Sequence, residues 1–313
     1  MQCKLNEEYF KTMINMKFKN KILSALAILT MSTMMISFVG CSGDKSNEEG
    51  QAEDSLNTAD EFNKAKQVIY GIPSPIETAM LMKRAGAKYN QDFLNPLSNL
   101  GNYTTTKSMA LNLGVYSADL SFASMFDQSQ ASIKYLSATK KLADDLGILN
   151  AIDKSIITRM ENNINNRDSV MEIISETFMN SNSFLKENDR GEIAAIILTG
   201  GWMEGLYIGT QIVKNTASNK ELMERIADQR LSLNTLISLL NEYKNDANVQ
   251  SILPEMEKLK KVFDKIQTSS SKMEVIEKDG KSIISSTSEV KFTPEIFNEL
   301  EKTISEIRSN IIK

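Results

Sequence analysis

Glu192–Gln211 reads EIAAIILTGGWMEGLYIGTQ. Twenty residues carry no proline, two acids and an apolar majority, which is the composition of a helix buried on every side rather than on one stripe. Gly201, Gly205 and Gly209 recur every four residues, and Ala194 and Leu198 extend that line. Glycines at such spacing let a second helix approach closely. Each costs a helix about 1 kcal/mol relative to alanine, so packing has to repay them. The segment is expected to be the central core helix. As a second membrane span it has the length, but Glu204 near its middle costs about 2.5–3.5 kcal/mol there. As a phosphate loop it has Gly200 and Gly205 at the right gap, but Leu206 replaces the lysine and no strand precedes.

Around this core helix the pattern is helical. Ser74-Pro75-Ile76-Glu77 is a capping box opening a helix to about Lys88. Residues 89–104 hold Pro96, Gly101 and several Asn and read as a loop with one turn. Thr104–Thr106 cap a long helix to about Phe126, and further helices are expected at about 129–146, 149–165, 168–186, 191–216, 219–244 and 249–268. Ser218-Asn-Lys-Glu221 is another capping box. Near Lys272 the period changes to two, and Asp279-Gly280 is a hairpin turn signal. Thr293-Pro294-Glu295 caps a last helix to about Ile312. The expected fold is all-α, a multi-helix bundle or layered helical array, with one small β-hairpin at about 273–292.

The N-terminus carries a different signal. Lys17, Lys19 and Lys21 precede an apolar run, Ile22–Val39, which ends in Gly40-Cys41 and is followed by Asp44, Glu48, Glu49, Glu53 and Asp54. A basic start, an apolar middle and a small residue before the cut describe a secretory signal. Phe38-Val39-Gly40-Cys41 resembles the lipobox of bacterial lipoproteins, with Phe38 where that family usually has Leu. The resemblance covers about the first fifty residues. It implies cleavage before Cys41, a diacylglycerol on its thiol and acylation of the new amino group. Buried acyl chains anchor at about 0.8 kcal/mol per CH₂. Ser42, where Asp favours inner-membrane retention in that family, implies the outer membrane, on its periplasmic face or at the cell surface. The competing readings are an uncleaved anchor, since about 18 apolar residues can span, and an incidental cysteine. Met16 opens a more ordinary signal than Met1 or Met13. The organisation expected is 1–40 signal peptide, 41–60 acidic flexible tether and 61–313 a single helical domain.

Composition excludes much. The chain has no histidine, and its two cysteines are Cys3, in the segment expected to be removed, and Cys41. Ser-His-Asp and Cys-His catalysis, zinc held by His and Cys, and disulfides therefore fall away from the mature part. No cofactor and no metal are expected; Asp144-Asp145 and Asp279-Gly280 lack the EF-hand spacing. The net charge is −4, and the first forty residues contribute five Lys and two Glu, so the mature part stands at −7. Such an acidic chain, lacking a basic cluster, does not suit nucleic acid.

Two acids stand out. On a helical wheel Asp119 lies among Val115, Phe122, Ala123 and Phe126, on or beside the buried side. A carboxylate there must be paired, hydrogen-bonded or protonated, and a structural role is the plainer reading. Glu204 lies in the core helix, near Trp202 and Tyr207. Asp119, Trp202, Glu204 and Tyr207 are the candidate pocket. Asp119 and Glu204 on facing helices are the candidate acid and base of a carboxylate-based hydrolase of envelope glycan. The leading expectation is a lipid-anchored envelope protein that binds or scaffolds another envelope protein or a glycan, without catalysis. A solute-binding partner of a transporter ranks lower, because no alternating β-α pattern is present.

Overall fold

The computed structural model describes residues 86–148, 154–216, 220–270, 274–278, 281–285 and 288–313. The expected signal peptide, the expected tether, the helix start expected at Ser74 and the start of the capping box expected at Ser218 lie outside the described residues. Eight α-helices are described: α1 Thr106–Met125, α2 Ser129–Asp145, α3 Lys154–Asn162, α4 Arg167–Glu187, α5 Gly191–Lys214, α6 Lys220–Glu242, α7 Ala247–Phe263 and α8 Pro294–Ile311. Two 3-10 turns, Gln91–Phe93 and Leu97–Asn102, precede them. The described part is all-α in its core, as the helical periods require.

Local chemistry sets the ends. Thr105 opens α1 with a capping box: its Oγ1 accepts from the Ser108 amide at 3.1 Å, and Ser108 Oγ accepts from the Thr105 amide at 3.0 Å. Asp246 Oδ1 accepts from the amides of Asn248 and Val249 at the start of α7, and Thr293 caps α8 ahead of Pro294. α1, α2 and α4 end alike. Asp127, Gly147 and Asp189 take positive φ, and the next amide bonds back to Ala123, Ala143 and Leu185 respectively. Gly86–Asn90 is not helical, and Gly86 has φ 80°. The expected helix therefore does not extend over Gly86–Lys88.

α5 is the hub. It packs on α1 most extensively and also on α4, α6 and α8. Ile196, Met203 and Ile212 on its several sides are all essentially inaccessible, which matches an apolar helix without a polar face. α2 packs on α1, α7 packs on both α6 and α8, and α3 packs on α4 around a small satellite core of Ile156, Met160, Val170 and Ile173. Among the described residues α5 is the one helix long and apolar enough to cross a membrane, and 83% of that window is buried inside the fold. It serves as core.

The close approach of α5 to α1 does not run along the Gly201–Gly205–Gly209 line. A Cβ on Gly200 would meet the Leu111 carbonyl oxygen, and one on Gly114 would meet the Ile197 carbonyl oxygen, both under 3.0 Å. Gly201 lies just beside this contact, but Gly205 faces open space and Gly209 has only ordinary contact with Ile226. Gly114 and Gly200 thus let the two backbones touch; the four-residue period shifts the true contact by one position.

Between α7 and α8 the chain forms four short strands. β1 Gln267–Ser270 pairs antiparallel with β4 Ser288–Lys291, and β2 Glu274–Lys278 pairs antiparallel with β3 Lys281–Ser285. The turn expected at Asp279-Gly280 lies outside the described residues.

Candidate functional site

Asp119 on α1, Glu204 on α5 and Arg308 on α8 converge where their three helices cross. Asp119 and Glu204 are 0% exposed and Arg308 is 7% exposed. Arg308 Nε donates to Glu204 Oε2 at 2.8 Å and Nη2 to Oε1 at 2.7 Å, a bidentate fork. Nη2 also donates to the Phe93 carbonyl at 3.0 Å. The guanidinium lies 4.2 Å over the Tyr207 ring, a cation–π contact.

Asp119 lies within hydrogen-bonding reach of Glu204. Its Oδ2 accepts from the Asn95 amide at 3.1 Å, while Oδ1 has no protein donor. Burial first, and the Glu204 charge second, push the Asp119 carboxyl well above the usual carboxylate range; Arg308 and the Asn95 amide oppose this without reversing it. Burial likewise raises the hydroxyls of Tyr116 and Tyr135, aided by the Asp119 charge.

A polar network extends from this cluster along the loop before α1. Asn95, itself inaccessible, donates through Nδ2 to Tyr103 Oη at 2.9 Å and to Asn112 Oδ1 at 3.2 Å, and accepts from Asn99 at 3.0 Å. Tyr116 Oη donates to the Pro96 carbonyl and Tyr135 Oη to the Asn95 carbonyl. The last carbonyls of α8, which have no partner within their helix, are taken by side chains. Asn112 donates to Ile311 O at 2.9 Å; Asn99 and Tyr103 donate to Ile312 O at 3.0 and 3.2 Å. Loop, α1 and the end of α8 are bonded into one unit.

The candidate residues divide. Asp119, Glu204 and Tyr207 come together around Arg308. Trp202 does not join them: it is buried on the α6 side, its indole Nε1 donating to Gln229 Oε1 at 3.3 Å. Trp202 and Tyr207 therefore do not line one pocket. The acid pair is also closed to solvent. A groove of about 620 Å³ lies elsewhere, between α7 and α8, lined by side chains such as Glu255, Lys258, Lys302 and Glu306. Its acids and bases are mixed, and Lys258 and Glu306 pair at 3.0 Å. Among the described residues no cluster of three or more His, Cys, Asp or Glu is placed to hold a metal ion.

Sequence reasoning missed Arg308 and Asn95. Arg308 had a signal: Leu300, Ile304, Ile307 and Ile311 mark the apolar stripe of α8, and position 308 falls on it. Asn95 had none, because its role depends on a loop path set by distant partners.

No protein-family model matches the chain, and neither the curated proteins nor the solved structures show a significant match to it.

Proposed function

We propose that this chain is a lipid-anchored protein of a bacterial cell envelope, held to the membrane through acylated Cys41, with a binding or scaffolding role in its helical domain. The observation that carries this reading is Cys41 itself. It closes an apolar run with a basic start, and an acidic, polar segment follows at once. Residues 41–60 act as a tether, and 61–313 as one helical domain carrying a small β-hairpin arm around 273–292. Ser42 favours the outer membrane. The partner is another envelope protein or a glycan.

The hydrolase reading has less support. It needs Asp119 and Glu204 open to a glycan, and both are sealed in the core, with Glu204 occupied by Arg308. A glycosidase also needs its two carboxyls at least about 5 Å apart, with the sugar between them; here they are within reach of a shared hydrogen bond. Their chemistry is that of a structural joint.

Fatty-acid labelling of cells expressing the full chain tests the anchor. Cys41→Ser is expected to abolish the label and to leave the protein unprocessed or free of the membrane; labelling that persists would sink the proposal. Crosslinking on whole cells then identifies what the anchored domain touches. Recovery of no crosslinked partner under conditions that trap a known envelope complex argues against scaffolding.

A further inference from the structure

The strands between α7 and α8 form two ribbons of two strands each. Among the described residues neither ribbon gains a third strand or packs extensively on a helix. A lone two-stranded hairpin is at best marginally stable in water; a third strand, or a helix against one face, is needed. The β2–β3 ribbon has the greater need. Its register pairs Val275 with Ile284, Ile276 with Ile283 and Lys278 with Lys281. Successive residues alternate between the faces of a ribbon, so each face carries an apolar cross-strand pair. Ile276 and Ile283 share their face with Lys278 and Lys281, and like charges directly opposite each other destabilise the pairing. Two residues separate Lys278 from Lys281, as in a tight hairpin, where the closing pair exchanges both backbone bonds. By alternation the amides and carbonyls of Val275 and Glu277 point to the outer edge of β2.

We propose that β2 docks on β2 of a second copy of this chain, antiparallel and centred on Ile276, so that two ribbons join into one sheet of order β3-β2-β2-β3. The backbone permits this register. Val275 falls opposite Glu277 of the second copy, and these are the residues whose amides and carbonyls point outward. The charges select it. Glu274 falls opposite Lys278 of the second copy, and Lys278 opposite its Glu274, so unlike charges meet at both ends of the contact. Each repelling Lys278–Lys281 pair thereby gains an acid beside it. Sliding the second copy by two positions one way sets Glu277 against Glu277; sliding it the other way loses both Glu–Lys pairs. A slide by one position sets outward amides against amides already turned to β3. In the favoured register Ile283, Ile276, Ile276 and Ile283 fall in one line across the four strands, on one face. β3 has no such complementarity: paired with its own copy about Ile283, it sets Lys281 against Ser285.

Disulfide trapping on cells expressing the full chain tests this. The variants are Val275→Cys, Ile276→Cys, Glu277→Cys and Ile283→Cys, with the wild type as control for linkage through Cys3 or Cys41. Of the four positions only 276 meets its own copy directly. Residues directly opposite have Cα atoms about 4.5–5.5 Å apart, within disulfide reach, whereas diagonal neighbours at about 7–8 Å lie beyond it. Mild oxidation is expected to give Ile276→Cys a reducible homodimer, at least about tenfold more than the other three variants give. In the Ile276→Cys chain, Glu274→Lys and Lys278→Glu should each cut that yield by about fivefold. Co-expressing those two chains should restore it, since every lysine at 274 or 278 then meets a glutamate. Linkage strongest at 275, 277 or 283 overturns the proposal, as does equal linkage at all four positions or none at any. Capture of a different protein by Ile276→Cys, without the homodimer, assigns the edge to another partner and also overturns it. Charge reversals without effect do the same.

Discussion

Arg308 grips both carboxylate oxygens of Glu204 across 104 residues of chain, and thereby ties the last helix to the central one. Glu204 is sealed from water and Arg308 nearly so, and neither can be removed alone without leaving a buried charge. Glu204→Gln and Arg308→Met are each expected to destabilise the protein by about 3–5 kcal/mol. The double variant, which removes both charges, should cost less than the sum of the singles. Denaturant unfolding of the four chains gives the coupling; strictly additive losses would show that the pair does not act as a unit.

The glycines of α5 differ in what they do. A methyl at Gly200, or at Gly114 on α1, would collide with a backbone carbonyl of the facing helix. Alanine at either site forces the helices apart, and a loss of at least about 1–3 kcal/mol is expected from overpacking. Gly205 is exposed, inside the helix, with nothing near its missing Cβ. Gly205→Ala should therefore stabilise, by up to about 1 kcal/mol. Thermal melts of the three variants check the order; a destabilised Gly205→Ala would mean that this position packs against something.

How far the sequence could be read follows from the same residues. The eight helices were legible because their signals are local: Thr105 and Thr293 as caps, and an apolar period between punctuating residues. Asp119 and Glu204 were legible as buried acids, since a wheel places them. Their meeting was not, because it depends on how α1 rolls against α5. That roll is set by Gly114 and Gly200, and the obvious period points instead to Gly201, Gly205 and Gly209. Two helix stops were read to within a residue, at about Phe126 and 186, although Asp127 and Asp189 there take the positive φ that glycine usually marks.

Asn95 organises the loop through three side-chain bonds while fully buried. Asn95→Ala keeps the backbone amide on Asp119 but strips Asn112 Oδ1 of its Asn95 donor. A cost of about 1–3 kcal/mol is expected, the penalty for a buried acceptor left unsatisfied. The damage should be local. Hydrogen exchange should speed up in 91–103 and at the end of α8, whose carbonyls Asn99, Tyr103 and Asn112 hold, before it changes in α6. A uniform increase would show that Asn95 supports the whole core rather than this joint.

Two carboxyls set opposite limbs of the stability–pH curve. Asp119 is raised in the folded state by burial and by Glu204. The folded chain then keeps a proton that the unfolded chain releases above about pH 4. Its contribution is complete below that point and is lost as pH rises toward the folded-state value. Glu301 runs the other way. Burial alone would raise it, but hydrogen bonds from Gln211, Lys214 and Ser305 outweigh burial and hold it low. Its contribution is present above the unfolded value and is lost as pH falls through the lower, folded one. Asp119→Asn should therefore flatten the limb on the rising side of about pH 4, and Glu301→Gln should flatten the acid limb. Thermal midpoints of wild type and both variants across the pH range separate the two. If Asp119→Asn steepened the decline instead, the aspartate would be ionised in the folded protein.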